Sequence, residues 1–458
     1  MGCGAMSESF DVVVVGAGTA GAYTAYNLAK RGFKVAFMDS KSGDKVGVKT
    51  CGDALGKHHV DRMARFLTPN PKIFVNEIKG VELFSPDMRT KYVIAGEGYM
   101  LDRFNWGKWL VKEAVNAGAA FFEGHTAVAP ILENGHVVGV KATDNRQGVH
   151  KEFRAKVVVD ASGSVGVIRT KLPDTWPISE RLHPEDVSHA YREVFYIEDS
   201  VENPQYIKIY LDQTISPGGY WWDFPYSSNF VNVGLGIWGV LKINPNANYK
   251  KYLEPRYKIK EKVHMGGGFI PTRRPLKSLV GNGILAVGDA AAAVNPLHGG
   301  GIGQALLTGE LAAKAIERAF SQGRFDTTAL WSYNVDYMNE WGYRQAQLDV
   351  IRLMLQTLDN DDLNFGLSRK LLTEEDVLDI SSRGVTLSVV DKMRIALQFA
   401  TRPGLLMKLY NAMQYAKRIG DMYLDYPRSP EGLDRWHDRV MEAYGEYRRK
   451  IGLGPMPT

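Results

Sequence analysis

Six residues near the start of the chain, Gly16-Ala17-Gly18-Thr19-Ala20-Gly21, are typical of a turn that binds the pyrophosphate of a dinucleotide. Gly16 permits the tight turn, Gly18 lets the backbone approach the phosphates, and Gly21 lets a helix lie close to the preceding strand. The helix N-terminus offers unpaired N–H groups and a positive dipole end to the phosphates. Asp39 stands where an acid accepts a hydrogen bond from a ribose hydroxyl.

The elements around this turn follow the order that such a site requires. Residues 12–15 are four valines that predict a buried strand, and residues 23–31 have helical spacing. Residues 34–38 predict a second strand that Asp39 closes. A glycine motif alone is weak evidence, and a glycine-rich turn without a ligand is the alternative. Strand, turn, helix, strand and acid in this order predict a dinucleotide-binding unit.

Composition limits the class of protein. The 458 residues predict two or three domains, and 45% hydrophobic with 23% charged residues is ordinary for a globular protein. The net charge of +5 is small for this length and does not indicate nucleic-acid binding. The two cysteines, Cys3 and Cys51, imply no disulfide framework and favour a cytoplasmic location. The sequence shows neither an apolar run that predicts a spanning helix nor a secretory signal pattern.

Two further motifs place an acid at the end of a buried strand. Residues 157–164 contain Asp160, and residues 283–291 contain Asp289 ahead of the glycine-rich stretch 299–303. Ligands collect at the carboxyl ends of parallel strands. Asp289 could hold a ribityl hydroxyl, and a helix that begins in the glycine stretch could stabilise negative charge on a reduced flavin ring. A nicotinamide nucleotide needs no such second half, so the sequence predicts FAD.

The three motifs together resemble those of the flavoproteins related to para-hydroxybenzoate hydroxylase. The resemblance implies FAD, a discontinuous Rossmann-type FAD-binding domain and an inserted sheet domain. We therefore expect an α/β fold with α+β insertions. The predicted domains are an FAD-binding domain (8–70, 100–175 and 271–330), an antiparallel-sheet substrate domain (71–99 and 176–270) and a helical C-terminal region (331–458).

The segment 217–225 has four aromatic side chains within five residues. Alternation along a strand would place Tyr220, Trp222 and Phe224 on one face, where they would form a flat apolar wall. This segment lies in the domain that should cover the flavin. An ordinary aromatic core of the sheet domain is the alternative.

This segment also resembles the PxxYxWxFP signature of the geranylgeranyl reductase family, and residues 49–54 resemble the Cys-Gly loop of that family. The match extends over nearly the whole chain and looks closest to archaeal members that saturate isoprenoid chains of membrane lipids. Asn105 departs from the family pattern, in which Asp is common. The resemblance implies further cofactor contacts besides the glycines of the turn. They are Ala20, Asp39, Cys51, Gly52, Ala54, Arg103, Ala127, Asp289, Gly301 and Ile302.

The implied reaction is demanding because an isolated trisubstituted alkene accepts hydride poorly. Reduced flavin can deliver hydride from N5, and a proton must reach the other carbon. Aromatic faces would stabilise the partial cation by about 0.5–2 kcal/mol each, and an apolar tunnel would exclude water. We predict that the catalytic residues are Cys51, as first choice of proton donor, and Tyr220, with His298 as a third choice. The alternatives are a packing cysteine, a wall tyrosine and a loop histidine.

The predicted substrate is a prenyl lipid, either a geranylgeranyl glycerophospholipid or geranylgeranyl diphosphate. Tyr220, Trp222, Phe224 and His298 would contact it. Arg273 and Arg274 could bind its phosphate, or they could pair with acids at a domain seam.

The expected partners follow from what the sequence offers. Without a second dinucleotide fingerprint, the electron donor should be external, for example a ferredoxin. Peripheral contact of the helical tail with the inner face of the membrane is a further expectation, whereas no metal and no nucleic acid are expected. An aromatic monooxygenase or halogenase on the same scaffold is the runner-up function, and a flavin-holding lipid carrier without turnover is the third.

Overall fold

The computed structural model describes residues 7–369 and 402–455, whose strands form two eight-stranded sheets. The strands are β1 (Ser7–Val15), β2 (Val35–Asp39), β3 (Ala54–Gly56), β4 (Phe74–Phe84), β5 (Lys91–Leu101), β6 (Ala120–Glu123), β7 (His125–Glu133), β8 (His136–Asp144), β9 (Val149–Asp160), β10 (Ser188–Ile197), β11 (Tyr206–Tyr210), β12 (Tyr220–Pro225), β13 (Phe230–Trp238), β14 (Ile259–Ile270), β15 (Val280–Gly281) and β16 (Ile284–Ala286). The α-helices are α1 (Thr19–Lys30), α2 (Lys57–Met63), α3 (Arg103–Asn116), α4 (Pro245–Asn248), α5 (Ile302–Gln322), α6 (Thr327–Leu330), α7 (Ser332–Tyr337), α8 (Tyr343–Leu355), α9 (Asn360–Ser368), α10 (Pro403–Leu424) and α11 (Leu433–Lys450).

The first sheet has a parallel centre with the strand order β16-β9-β1-β2-β6. Residues 12–14 of β1 are fully buried. A continuous apolar run suits a parallel strand that is covered on both faces. The hairpin β7–β8 joins this sheet through the antiparallel pairing of β8 with β9. The predicted α/β class and Rossmann-type organisation are confirmed. Helix α1 begins at Thr19, earlier than the predicted start at residue 23, because it follows the glycine turn directly.

The second sheet has the order β14-β10-β13-β12-β11-β4-β5-β3. Its neighbours are antiparallel except for the parallel pair β11 and β4. Strand β3 belongs to this sheet, although its residues fall within the predicted FAD-binding segment 8–70. The loop ahead of β3 therefore crosses from the first sheet to the second, which carries Cys51 to the boundary between them.

The helices after residue 330 pack as a layer against both sheets. The Tyr444 hydroxyl of α11 donates a hydrogen bond to the carbonyl of Ala346 in α8 (3.2 Å). Arg448 pairs with Glu185 ahead of the second sheet, with 2.9 Å between Nη1 and Oε2. The helical C-terminal region is thus confirmed where the structure describes it, and residues 370–401 of that prediction lie outside the described residues. Among the residues described, the helices are too short or too polar to cross a membrane.

Candidate active site

The glycine turn after β1 has the geometry that its sequence predicts. Gly16 adopts a φ of +104°, and a side chain there would overlap the carbonyl oxygen of Ala161 at the end of β9. A Cβ on Gly21 would overlap the carbonyl oxygen of Gly16. In contrast, no heavy atom of the described chain lies within 4 Å of the position that a Cβ on Gly18 would take. Glycine is therefore required for packing at two positions, while the space at the third is open for a ligand.

Helix α1 begins at this turn without a side-chain cap from the described residues. Beside its first residue lies the buried Arg103, whose Nη2 donates to Thr19 Oγ1 at 3.1 Å. The Nε and Nη1 atoms of Arg103 have no hydrogen-bond partner among the described residues. A buried guanidinium with free donors beside an uncapped helix N-terminus is suited to binding phosphate.

Asp39 closes β2 next to the same turn. Its Oδ2 accepts a hydrogen bond from the Ala17 amide and its Oδ1 accepts one from the Lys41 amide, both at 3.0 Å. These bonds fix the carboxylate, and each oxygen keeps a second lone pair that can accept a ribose hydroxyl.

The second half of the cofactor site is built around Asp289. Its Oδ2 forms an ion pair with Lys49 of the Cys-Gly loop, and its Oδ1 lies 3.2 Å from the Cβ position of Gly301. Gly301 is the N-cap of α5, which also begins without a side-chain cap from the described residues. Gly288 approaches the turn, since its Cβ position lies 2.7 Å from the Cβ of Ala20. Three motifs far apart in sequence therefore meet at one place.

These features fit FAD. The uncapped N-terminus of α1 and the Arg103 donors without a hydrogen bond suit the pyrophosphate, and Asp39 suits the ribose. Asp289 and the uncapped N-terminus of α5 suit the ribityl chain and the ring. Of the other predicted contacts, Ala54 begins β3, and Ile302 is the first residue of α5. Ala127 is buried in the β7–β8 hairpin, where it pairs with Ala142, and its contact with the cofactor stays a prediction.

The middle motif has a scaffolding role instead. Both oxygens of Asp160 are occupied: Oδ2 accepts the amides of Ile168 (3.0 Å) and Arg169 (2.8 Å), and Oδ1 accepts the Ser162 amide and hydroxyl. Arg169 is fully buried, and its Nε donates to the carbonyl of Ala290 at 2.6 Å. The motif therefore fixes the backbone beside Asp289, and its acid is not free for a ligand.

The aromatic side chains of β12 form the predicted face. The ring centroids of Tyr220 and Trp222 are 5.9 Å apart, as are those of Trp222 and Phe224. Trp221 points to the opposite face, where it stacks on Tyr210 at 3.6 Å. The Cβ position of Gly52 lies 3.1 Å from the Phe224 ring. The aromatic face (Tyr220, Trp222 and Phe224) is thus turned towards the Cys-Gly loop.

Cys51 is a free, half-buried cysteine in this loop. Its Sγ accepts a hydrogen bond from the Asp53 amide at 3.3 Å. Burial raises the pKa of the Cys51 thiol, the Asp53 carboxylate raises it further, and Arg103 and Lys49 oppose the rise. The side chain is therefore a neutral thiol at physiological pH.

Tyr220 and His298 have their polar atoms engaged. The Tyr220 hydroxyl donates to the His298 carbonyl at 2.6 Å, and burial raises the pKa of Tyr220 well above its usual value. The His298 side chain is exposed, and its Nδ1 accepts the Gly300 amide at 3.1 Å, which requires an unprotonated Nδ1. His298 is thus a neutral imidazole that stabilises its own glycine loop, whereas its predicted contact with substrate stays a prediction.

Arg273 and Arg274 lie at a domain seam. Arg273 pairs with Asp186 (3.0 Å) and Glu180 (2.5 Å), and Arg274 pairs with Asp186 (3.3 Å). The Arg274 guanidinium also lies 5.4 Å from the ring centroid of Tyr444 in α11. These arginines join the two sheets to the helical layer, so the seam alternative is confirmed and the phosphate-binding alternative is not supported.

Sequence reasoning missed two groups of residues. His59 lies against Gly303 at the start of α5, and burial lowers its pKa to about 3. A set of buried polar groups around Asp53 was also missed, namely Tyr226, Asn232 and Arg192. Neither group has a spacing that indicates a site. His59 meets Gly303 only when α2 packs near α5, and the polar groups around Asp53 meet only when β10, β12 and β13 pair.

Comparison with known proteins agrees with this geometry. Residues 186–270 match the family model of the geranylgeranyl reductase catalytic domain, and residues 11–67 match that of glucose inhibited division protein A. A solved structure of a geranylgeranyl bacteriochlorophyll reductase-like protein from Thermoplasma acidophilum covers 89% of this chain and all of its own, with a TM-score of 0.73 at 24% identity. The myxobacterial chondrochloren halogenase, described as FAD-dependent, has a TM-score of 0.65 at 20% identity over 93% of this chain and 99% of its own.

The fold and the site define the class: the protein is an FAD-dependent oxidoreductase. Digeranylgeranylglycerophospholipid reductase from Sulfolobus acidocaldarius is 41% identical over 96% of this chain and 99% of that protein. The enzyme of the same description from Methanothrix thermoacetophila is 30% identical over 82% of this chain and 94% of that protein. The chain belongs to the digeranylgeranylglycerophospholipid reductase family, which confirms the predicted family and cofactor.

Proposed function

We propose that this protein is an FAD-dependent reductase that saturates isolated C=C bonds of geranylgeranyl chains in archaeal-type lipid precursors. The observation that carries the proposal is the position of the aromatic face against the Cys-Gly loop, where the position of a Cβ on Gly52 would lie 3.1 Å from the Phe224 ring. The names of the relatives support the substrate class. A buried apolar wall beside a flavin site suits an uncharged prenyl chain and offers little to a polar substrate.

The residues of the chain have separable roles in this reaction. Bound FAD, once reduced, supplies the hydride that adds to one alkene carbon. Cys51 holds a proton at Sγ and gives it to the other carbon. The aromatic face stabilises the positive charge that develops there, by about 0.5–2 kcal/mol for each ring, and excludes water. The uncapped N-terminus of α5 stabilises negative charge at the ring end of the cofactor.

Cys51 is preferred as proton donor because the alternatives are committed elsewhere. The Tyr220 proton is donated to the His298 carbonyl, and Tyr220 holds it tightly because its pKa is raised by burial. His298 uses Nδ1 to accept the Gly300 amide, so its ring is neutral. The Cys51 thiol stays protonated and lies in the loop that faces the aromatic rings.

The proposal includes two partners. The electron donor is an external reductant such as a ferredoxin, because the sequence contains one dinucleotide fingerprint. The protein works in the cytoplasm with peripheral contact to the inner face of the membrane, through α10. This helix exposes Met407 and Tyr410, three residues apart and therefore on one side, at 57% and 54% of their surface.

The test is anaerobic incubation of the protein with a geranylgeranyl glycerophospholipid and dithionite-reduced FAD, followed by mass spectrometry of the lipid. A reductase adds two hydrogens for each bond that it saturates. A monooxygenase or halogenase would leave the lipid unchanged in this incubation, and in a second incubation with oxygen it would consume oxygen in step with product. A lipid carrier without turnover would bind the lipid and leave its mass unchanged with and without oxygen.

A further inference from the structure

A buried carboxylate lies two residues after Cys51 and does not belong to the cofactor motifs. Asp53 has 1% of its surface exposed, and its backbone adopts the left-handed region with a φ of +66°. Its Oδ2 accepts the Tyr226 hydroxyl at 2.6 Å and Asn232 Nδ2 at 3.2 Å. Its Oδ1 has no hydrogen-bond partner among the described residues and lies 3.9 Å from Arg103 Nε.

The same residues also hold the backbone of Cys51. Asn232 Nδ2 donates to the Cys51 carbonyl at 3.0 Å, and Arg192 Nε donates to it at 3.1 Å. The Asp53 amide donates to Cys51 Sγ at 3.3 Å, which its left-handed backbone permits. Such a conformation costs a residue other than glycine about 1–3 kcal/mol and persists only where its surroundings fix it. The strained backbone of Asp53 and the position of the Cys51 sulfur atom therefore depend on each other.

We propose that Asp53 is a positioning residue for Cys51, which it holds in place and keeps in the thiol form. This inference rests on the proposed function, in which Cys51 delivers the proton. The carboxylate is anchored on the second sheet by Tyr226 and Asn232, and its own amide fixes the sulfur. The thiol is thereby kept next to the aromatic face with its proton in place before each hydride transfer.

The charges around the sulfur explain why the carboxylate matters. The titratable and charged groups that face Cys51 come from its own loop, from α3, from β10 and from the start of β12: Lys49, Asp53, Arg103, Arg192 and Tyr220. Tyr226, which follows β12, acts on this set through Asp53. His264 of β14 touches this set only through Arg192, at 2.8 Å. After burial, Asp53 is the main group that raises the pKa of the thiol, while Arg103 and Lys49 lower it. Without the carboxylate, burial alone would oppose these cations, and the pKa of the thiol would fall.

The experiment is a pH titration of Cys51 alkylation by iodoacetamide in the FAD-loaded protein, followed on the Cys51 peptide by mass spectrometry. We expect the midpoint of the wild-type protein above the value of about 8.5 for free cysteine. Asp53→Asn, which keeps the shape and removes the charge, should lower the midpoint by at least about one pH unit, equivalent to 1.4 kcal/mol. Asp53→Glu, which keeps the charge, should leave the midpoint of the alkylation at about 8.5 or above.

A merely structural role predicts the reverse order, because the longer glutamate disturbs the loop more than the isosteric asparagine does. The proposal is overturned if Asp53→Glu lowers the midpoint as much as Asp53→Asn does, or if neither changes it. Asp223→Asn is the matched control: this buried aspartate accepts the Tyr257 hydroxyl at 3.0 Å and points away from Cys51, so the midpoint should stay at the wild-type value.

Tyr226→Phe keeps the test decisive if Asp53→Asn does not fold. It removes one anchor of the carboxylate and leaves the charge, so the reduction rate should fall about tenfold, as for one lost hydrogen bond to a charged group. The thiol midpoint should stay above 8.5. An unchanged rate would contradict the anchoring. The alkylation is measured without an alkene, so failure of the proposed reductase function appears in the lipid product and failure of this inference appears in the thiol titration.

Discussion

Two buried clusters of arginine and carboxylate groups differ in how completely they are paired. At the seam, Arg273 and Arg274 are matched to Asp186 and Glu180 at 2.5–3.3 Å. At the active site, two nitrogen atoms of Arg103 have no hydrogen-bond partner among the described residues, and the Asp53 carboxylate lies 3.9 Å away.

The pKa values of the buried carboxylates differ in the same way. Burial alone would raise the pKa of Asp186, yet Arg273 and Arg274 hold it below its usual value. Burial raises the pKa of Asp53, and Arg192, Tyr226 and Arg103 oppose the rise without cancelling it. Complete pairing thus marks a cluster that holds the fold together, and incomplete pairing marks one that awaits a ligand or serves chemistry.

The largest expected effect is on stability at the seam. Asp186→Asn leaves the buried Arg274 without its paired carboxylate and leaves Arg273 with Glu180 alone, so it should lower the free energy of unfolding by about 3–5 kcal/mol. Asp53→Asn removes a carboxylate whose pKa is raised by burial, so the free energy of unfolding at pH 7 should stay the same or rise. Urea unfolding of both variants measures the difference. Equal destabilisation by both would contradict the distinction.

A smaller effect is expected on cofactor binding at Arg103. Arg103→Ala removes the two free donors beside α1 and should weaken FAD binding by about 1.5–3 kcal/mol, or roughly 10- to 100-fold. The stability of the protein without FAD should also fall, because the buried side chain bonds Thr19 and lies 3.9 Å from the Asp53 carboxylate. Flavin fluorescence titration and urea unfolding together test this. Loss of stability with unchanged FAD affinity would assign Arg103 to the scaffold.

Substitutions at Gly18 and Gly21 of the turn should likewise separate an effect on FAD binding from an effect on folding. Gly21→Ala forces a Cβ into the Gly16 carbonyl and should cost about 1–3 kcal/mol of stability. Gly18→Ala meets open space at a φ of −69°, so the fold should tolerate it, while the new methyl group occupies the place of the pyrophosphate. We expect FAD affinity to fall and thermal stability without FAD to stay within about 0.5 kcal/mol of wild type. Unchanged FAD affinity in Gly18→Ala would place the pyrophosphate elsewhere.

The smallest effect is a difference in pH dependence. The folded pKa of Asp186 is lowered, so its stabilising contribution is complete above the unfolded value of about 3.9 and is lost as pH falls through the folded pKa. The folded pKa of Asp53 is raised, so the wild-type protein loses stability as pH rises from about 3.9 to that pKa. The stability difference between wild type and Asp186→Asn should therefore shrink in acid. Asp53→Asn should become more stable relative to the wild-type protein as pH rises.

Local sequence patterns predicted the parts of the site that depend on the backbone. The turn at Gly16, Gly18 and Gly21 follows from steric limits that act within a few residues. Alternation along β12 placed Tyr220, Trp222 and Phe224 on one face because the side-chain period of a strand is two.

The remaining parts depend on pairing between distant strands. Asp53 meets Tyr226 and Asn232, which lie more than 170 residues further along the chain, and no local pattern records that contact. Asp160 was interpreted as part of the ligand site, because the end of a strand looks the same in sequence whether its acid faces a ligand or neighbouring amides. The family resemblance adds predicted cofactor contacts that spacing alone does not indicate, such as Ala54 at the start of β3 and Ile302 at the start of α5.

The central claim is that a flavin at this site transfers its electrons to an alkene held against the aromatic face. The most direct measurement is anaerobic reoxidation of the dithionite-reduced, FAD-loaded protein by a geranylgeranyl lipid, followed through the absorbance of the oxidised flavin. We expect the flavin band to return without oxygen, with one flavin oxidised for each bond saturated, and to return far more slowly in Cys51→Ala. A flavin that stays reduced with the lipid and reoxidises only when oxygen is admitted would contradict the account.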